Sequence, residues 1–159
     1  MIPRLNAGKV APAAYEALRG LEKYVRGTVE PRFLHLLKLR ASQINGCAYC
    51  IDMHVKEALD DGEDAQRLHL LAAWRESPLF TDERERALLA WTEALTLLPQ
   101  MGAPDADYEA LKKHFTEAEI VNLTLAIGTI NVWNRWAVAF RSPHPMGMDK
   151  RVHPPQKTA

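Results

Sequence analysis

Two cysteines three residues apart, Cys47 and Cys50, are the residues of this chain most suited to chemistry, and the sequence contains no other cysteine. Gly46 precedes them and predicts the end of one helix, so that Cys47 begins the next and both sulfurs lie in its first turn. Free backbone N–H groups and the positive end of the helix dipole stabilise a thiolate there. Because positions three apart share a helical face, the spacing predicts a redox-active pair.

His54 lies four residues after Cys50, one turn further along the same face. Its imidazole can exchange a proton with Cys50 directly or through a water. A thiolate attacks the O–O bond of a peroxide and becomes a sulfenic acid, which a neighbouring thiol converts to a disulfide. An external dithiol then reduces that disulfide by exchange. These residues predict a thiol peroxidase with a small-molecule peroxide as substrate and no need of metal, flavin or haem.

Three other interpretations of the cysteine pair remain open. Cysteine and histidine are preferred zinc ligands, but a fourth ligand would have to be a distant histidine such as His35 or come from another subunit. Two cysteines also pack well as inert core residues. A redox-sensing or structural helical assembly would oxidise the pair without turnover. A thioredoxin-like motif is not favoured, because no βαβ pattern surrounds the pair.

Helical periodicity dominates the chain and predicts an all-α fold. The pattern Thr116-x-x-Glu119 predicts a capping box at the start of the last and longest helix. We expect one domain over residues 1–141 and an irregular, proline-rich tail over 142–159. Seven helices are predicted, the first with a break at Gly27 and the fifth ended by Pro99: 12–25, 31–44, 47–61, 64–74, 81–98, 105–115 and 116–140.

Composition excludes several classes of partner. The 159 residues hold 20 Lys and Arg against 20 Asp and Glu, so no basic field attracts nucleic acid or an anionic membrane. The N-terminus has no basic segment followed by an apolar run, so we expect no secretion signal. Polar residues, including Thr124, Asn131, Asn134 and Arg135, interrupt the longest apolar stretch, 123–140, which argues against a bilayer span. We therefore expect a cytoplasmic protein, in which a disulfide is usually transient.

Several residues of the apolar helices need covering or pairing. The last helix is apolar on more than one face around residues 123–130, which predicts a neighbouring subunit. Arg40 and Arg135 each need a charged partner, for which the sequence offers Glu57, Asp52 or Glu93. Asn131 and Asn134 either hydrogen-bond to backbone near the cysteines or support packing. The tryptophans are interpreted first as core or interface anchors and second as walls of a peroxide pocket: Trp74, Trp91, Trp133 and Trp136.

Two segments carry a resemblance to a known family. Residues 40–47, RASQINGC, are followed by Cys50 and His54, and the closing stretch 125–135 reads LAIGTINVWNR. Together they resemble the alkylhydroperoxidase D-like (AhpD-like) branch of the carboxymuconolactone decarboxylase superfamily, over about residues 14–141. The resemblance implies an all-helical fold that assembles into trimers or hexamers, with the site near subunit contacts.

The resemblance also implies roles for individual residues. Cys50 would attack the peroxide, Cys47 would resolve the sulfenic acid, and His54 would act in a proton relay. The family's relay glutamate lies twelve residues before the first cysteine, where this chain has His35, which we predict as a base or hydrogen-bond partner. Tyr49 stands where the best-studied type has a histidine. The decarboxylase branch, which generally lacks the cysteine pair and would use a proton-transferring histidine, is the alternative enzyme class.

Overall fold

The structure is a computed structural model that describes residues 2–143, and within this range the fold is all-α. The proline-rich tail predicted from residue 142 lies, except for its first two residues, outside the described residues. A single 3₁₀ turn, Leu71–Ala73, follows the fifth helix. The helices are α1 (Ala7–Val10), α2 (Pro12–Thr28), α3 (Pro31–Ile44), α4 (Ala48–Asp60), α5 (Ala65–Leu70), α6 (Glu83–Thr96), α7 (Leu98–Met101), α8 (Asp105–Lys112) and α9 (Glu117–Phe140).

All seven predicted helices are present, and two predicted interruptions are wrong. Helix α2 continues through Gly27, and the N–H of Val29 still donates to the carbonyl of Val25 at 3.0 Å. A helical glycine costs only about 0.5–1 kcal/mol, which the other interactions of a 17-residue helix outweigh. Pro99 does not end α6 but lies in the first turn of α7, where its missing N–H costs nothing.

Helix α3 lies at the centre of the molecule and packs against α4, α6 and α9. One face, with Phe33, Leu34 and Leu37, joins the core cluster formed by α6, α8 and α9. The opposite face, with Leu36 and Leu39, joins a second cluster with α4, α5 and the 3₁₀ turn. Because α3 is buried on two faces, it holds the loop that leads into the cysteine pair firmly in place.

Helix α9 begins with the predicted capping box, which is confirmed. The hydroxyl of Thr116 accepts from the N–H of Glu119 at 3.3 Å, and Glu119 Oε2 accepts from the N–H of Thr116 at 2.7 Å. Its middle buries Leu123 and Ile127, while Val132 stays 45 % exposed on another face. Within residues 2–143 no helix has both the length and the apolar character that crossing a bilayer demands.

The two arginines expected to need carboxylate partners have different environments. Arg40 Nε donates to Glu93 Oε1 at 2.8 Å, and the indole N–H of Trp74 reaches the same oxygen at 2.9 Å. Arg135 is exposed and donates to the carbonyl oxygen of Asn131 at 2.8 Å, so the expectation of a carboxylate partner for it is wrong. That turn of α9 faces solvent, where a guanidinium needs no buried counter-charge.

Candidate functional site

The two cysteines occupy the start of α4. Cys47 is the N-cap residue, and its Sγ accepts the backbone N–H of Cys50 at 3.3 Å. The two sulfurs are joined in a disulfide, with 5.4 Å between the Cα atoms. Gly46 has a φ of 63°, a left-handed conformation that glycine adopts without strain, and the N–H of Cys47 then closes back on Ser42 at 3.0 Å. This turn places both sulfurs at the positive end of the helix dipole.

Side-chain amides connect this turn to α9. Asn45 Nδ2 donates to Asn131 Oδ1 at 3.0 Å and to Asn134 Oδ1 at 2.8 Å. Asn134 Nδ2 in turn donates to the hydroxyl of Ser42 at 3.0 Å. Both asparagines of α9 therefore support the turn that precedes Cys47, because they hydrogen-bond to the side chains of that turn. These contacts bring the segments 40–47 and 125–135 together in space.

His54 is buried, and its two ring nitrogens have different surroundings. Nδ1 lies 3.0 Å from Glu57 Oε2, while Nε2 is buried with no hydrogen-bond partner among the described residues. The hydrogen bond from His54, helped by the charge of Arg26, lowers the pKa of Glu57 to about 2, so this carboxylate is an acceptor at neutral pH. Nδ1 must then carry the proton and Nε2 the lone pair. Burial also lowers the pKa of His54, which keeps the imidazole neutral and basic at Nε2.

A row of alternating charges continues from Glu57 into the protein. Arg26 Nη2 donates to Glu57 Oε1 at 2.8 Å, and its Nε donates to Glu22 Oε1 at 2.6 Å. The ammonium of Lys38, a side chain only 2 % exposed, pairs with the same Glu22 oxygen. Burial by itself would raise the pKa of Glu22, but Lys38 and Arg26 outweigh it and lower the pKa. Glu22 Oε2 remains buried without a partner among the described residues.

The site opens into a cavity of about 730 Å³. Cys50 lines it, whereas Cys47 lies behind Cys50 and is not part of the lining. Its polar end also includes His54, Glu22 and Arg26. Of the two cysteines, Cys50 is thus the one that borders the cavity.

The remaining walls of the cavity are mainly aromatic and apolar. Tyr15 packs against Trp133 with 5.7 Å between ring centroids and against Trp136 with 6.1 Å. Tyr49 and Met53 also belong to the lining, and Pro3 and residues 5–9 form another wall. Trp133 and Trp136 therefore shape the cavity, while Trp74 and Trp91 are buried core residues, each with its indole N–H hydrogen-bonded.

His35 lies apart from this arrangement. It is buried, its Nε2 is 2.7 Å from Asp61 Oδ2, and it is not among the residues that line the cavity. Asp61 caps the far end of α4. At 1.5 Å per residue, about 16 Å of helix separates Asp61 from Cys50. The structure brings Cys47, Cys50 and His54 together and leaves His35 at the opposite end of α4.

Three charged residues of the site were missed in the sequence, Glu22, Arg26 and Lys38. The signal that could have found them is a lysine between Leu37 and Leu39 in an apolar helix, because a buried ammonium requires a carboxylate partner. Glu22 and Arg26 have the spacing of an ordinary surface ion pair on α2, which hides their role.

Few of the residues considered as zinc ligands are available to bind a metal ion in this arrangement. Cys47 and Cys50 are bonded to each other, and Nδ1 of His54 faces Glu57. His35, the distant ligand that the sequence offered, pairs with Asp61 instead. In the part of the chain that the structure describes, no three His, Cys, Asp or Glu side chains form a group that could hold a metal ion.

Comparisons with known proteins agree on the family. The sequence model of the carboxymuconolactone decarboxylase family matches residues 11–94. The uncharacterized protein YdfG of Bacillus subtilis (strain 168) is 38 % identical over 140 residues, which cover 87 % of this chain and 95 % of YdfG.

Solved structures agree on the fold. A crystal structure of an Agrobacterium tumefaciens protein of unknown function, suggested to be the antioxidant defence protein AhpD, has a TM-score of 0.89 and 53 % identity over 92 % of this chain and all of that one. The debrominase Bmp8 has a TM-score of 0.77 at 21 % identity over 86 % of this chain and 74 % of its own, a likeness of fold alone. The chain belongs to the carboxymuconolactone decarboxylase family and has an AhpD-like fold.

Proposed function

We propose that this protein is a thiol peroxidase that reduces hydrogen peroxide or organic hydroperoxides with its cysteine pair. One observation carries the proposal: Cys50 and His54 line the same cavity, His54 Nε2 has no partner among the described residues, and Cys47 is bonded to Cys50. Nucleophile, base and resolving thiol then stand in the order that the reaction needs.

In the first step His54 Nε2 accepts the proton of the reduced Cys50 thiol. The thiolate attacks the outer oxygen of the hydroperoxide, the S–O bond forms and the O–O bond breaks. The leaving alkoxide takes the proton back from the imidazolium and departs as an alcohol. The lowered pKa of His54 suits this exchange, because a neutral imidazole accepts the proton and its conjugate acid gives it up readily.

In the second step the Cys47 thiolate attacks the sulfur of the Cys50 sulfenic acid. A disulfide forms, and the hydroxide leaves as water with the proton that Cys47 lost. The N-cap position stabilises the Cys47 thiolate, because its sulfur accepts the N–H of Cys50 at the start of α4. An external dithiol then attacks Cys50, the sulfur that faces the cavity, Cys47 leaves, and the reductant ends as a disulfide.

Two observations support this proposal beyond the site itself. The Agrobacterium relative has been suggested to be an antioxidant defence protein. The aromatic wall formed by Tyr15, Trp133 and Trp136 suits the apolar body of an organic hydroperoxide. A cytoplasmic setting and a homo-oligomer, trimeric or hexameric, complete the proposal, and exposed Val121 and Val132 on α9 support the oligomer.

A thiol titration tests the proposal. The reduced, metal-free protein is titrated before and after one equivalent of cumene hydroperoxide. We expect both thiols per chain to disappear and to return with a dithiol reductant, and we expect Cys50→Ser to consume no peroxide. Persistence of both thiols through a long incubation would refute peroxidase activity, and oxidation without catalytic turnover would favour a redox sensor.

A decarboxylase acting on a lactone carboxylate is the second candidate. The family whose model matches the sequence is named after this reaction. His54, with its unpartnered Nε2, offers a base, and it lines a cavity large enough for a small carboxylate. Such an activity should survive replacement of both cysteines by serine and fail in His54→Ala. The proposed peroxidase should fail in both variants.

A further inference from the structure

We infer that Glu22 is a further catalytic residue of this site, which binds the hydroperoxide O–H together with His54. The inference rests on the proposed peroxidase function and deepens it. It assigns to a carboxylate of α2 a place in the reaction, whereas the sequence predicted His35 of α3 for the relay.

The first observation is the uneven use of the two carboxylate oxygens of Glu22. Oε1 accepts from Arg26 Nε at 2.6 Å and also pairs with Lys38 Nζ. Oε2 is buried and accepts nothing from the described residues. A buried, unused carboxylate oxygen is costly unless a ligand or water donates to it.

The second observation is that this oxygen belongs to a residue lining the same cavity as Cys50 and His54. His54 Nε2 is likewise buried, unpartnered and, by the tautomer argument above, an acceptor. Two unpartnered acceptor atoms thus belong to residues that line the cavity together with Cys50. A neutral hydroperoxide supplies the missing donor, because its outer oxygen carries a hydrogen.

The surrounding charges keep Glu22 ionised for this role. Arg26 on its own helix and Lys38 on α3 contact it directly, with Glu57 and His54 of α4 next in the row. Lys9 of α1 lines the same cavity. The two direct cations hold the carboxylate in place, so its second oxygen has a fixed position.

The chemistry follows with atoms and electrons balanced. Glu22 Oε2 accepts the O–H of ROOH and orients the outer oxygen toward the Cys50 thiolate. The S–O bond forms as the O–O bond breaks; sulfur is oxidised and the peroxide is reduced. The hydroxyl hydrogen stays on the sulfenic acid, and RO⁻ leaves as ROH with the proton held by His54. Glu22 contributes orientation and is unchanged at the end.

The test compares two reactions of the same reduced thiol in the full-length protein. Cumene hydroperoxide must be oriented through its O–H, whereas alkylation by iodoacetamide needs only the thiolate. For Glu22→Gln we expect the rate constant with the hydroperoxide to fall about 10²-fold, with alkylation no slower. The matched control is Glu16→Gln, the same change at an exposed position of α2, which should leave both rates at the wild-type value.

A second variant guards against misfolding, since Glu22→Gln leaves Lys38 buried without its partner. In Glu22→Gln/Lys38→Met neither charge is left alone, and we expect the same selective loss of hydroperoxide rate. An equal loss in both reactions, no loss at all, or a loss seen in His35→Gln but not in Glu22→Gln would overturn the inference. A wild-type protein that never loses thiols to hydroperoxide would instead refute the proposed function.

Discussion

At the scale of single residues, the reactivity of the site depends on which sulfur faces the cavity. Cys50 lines it and Cys47 does not, although both side chains are almost fully buried. Under the proposed function we therefore expect a peroxide to react first with Cys50, and Cys47 to act only afterwards. This order agrees with the roles that the family resemblance implies.

Separate cysteine variants test this order. In Cys47→Ser one equivalent of cumene hydroperoxide should oxidise Cys50 to a sulfenic acid that no thiol resolves, detectable as a dimedone adduct of one per chain. In Cys50→Ser, Cys47 should remain a thiol under the same conditions. Mass spectrometry of both variants makes the measurement, and a dimedone adduct on Cys47 of Cys50→Ser would contradict the assignment.

Glu57 determines which nitrogen of His54 carries the proton. Replacing it by glutamine removes the charge that fixes the tautomer, and we expect the rate with hydroperoxide to fall at least about tenfold. Stopped-flow fluorescence of the tryptophans reports this rate. Glu109→Gln, an exposed change on α8 that affects only a pair with Lys112, is the control. An unchanged rate in Glu57→Gln would show that Nε2 does not need this partner.

The same carboxylate gives a pH dependence of stability. Its pKa is about 2 in the folded protein against an ordinary 4.5, so between these values the unfolded chain binds more protons. The stabilising contribution of Glu57 is therefore complete above pH 4.5 and is lost as the pH falls toward 2. Urea unfolding from pH 6 to pH 3 should show a stability difference between wild type and Glu57→Gln that shrinks with acid; a constant difference would contradict this.

At the scale of elements, α9 holds the turn before Cys47 through asparagine side chains. Asn134 is 1 % exposed and bonds to Asn45 and Ser42, so Asn134→Ala leaves buried polar groups unpaired. We expect a loss of about 1–3 kcal/mol in the free energy of unfolding. The control is Asn122→Ala, also on α9, which removes an exposed hydrogen bond to Tyr24 of α2 and should change stability little. Equal effects of the two would argue against the network.

At the scale of the whole molecule, an apolar stripe of α9 remains uncovered. Val121 is 65 % and Val132 45 % exposed, and both lie on one side of the helix with Leu125 between them. We expect this stripe to contact another copy of the chain. Light scattering should give an oligomer for the wild type and a smaller species for Val132→Glu, whereas Leu59→Glu on α4, also at an exposed position, should leave the mass unchanged. A monomeric wild type would refute the oligomer.

The sequence by itself determined the local features of this protein. Periodicity located seven helices, the capping box located the start of α9, and the spacing of Cys47, Cys50 and His54 placed them on one face. These features depend on residues within a turn or two of each other, which a sequence pattern records directly. The predictions at Gly27 and Pro99 were wrong for different reasons. The effect of Gly27 depends on the stability of the whole helix, and the effect of Pro99 depends on the turn in which it lies.

Only the tertiary structure decided which distant groups meet. Glu22 of α2 and Lys38 of α3 pair at the site, whereas His35 contacts Asp61. Residues near both ends of the described chain line the cavity together with Cys50. Such meetings depend on how helices cross and on their register, which are results of packing the whole core. The physical reason is that helical spacing specifies the face of a residue but not the element that the face will contact.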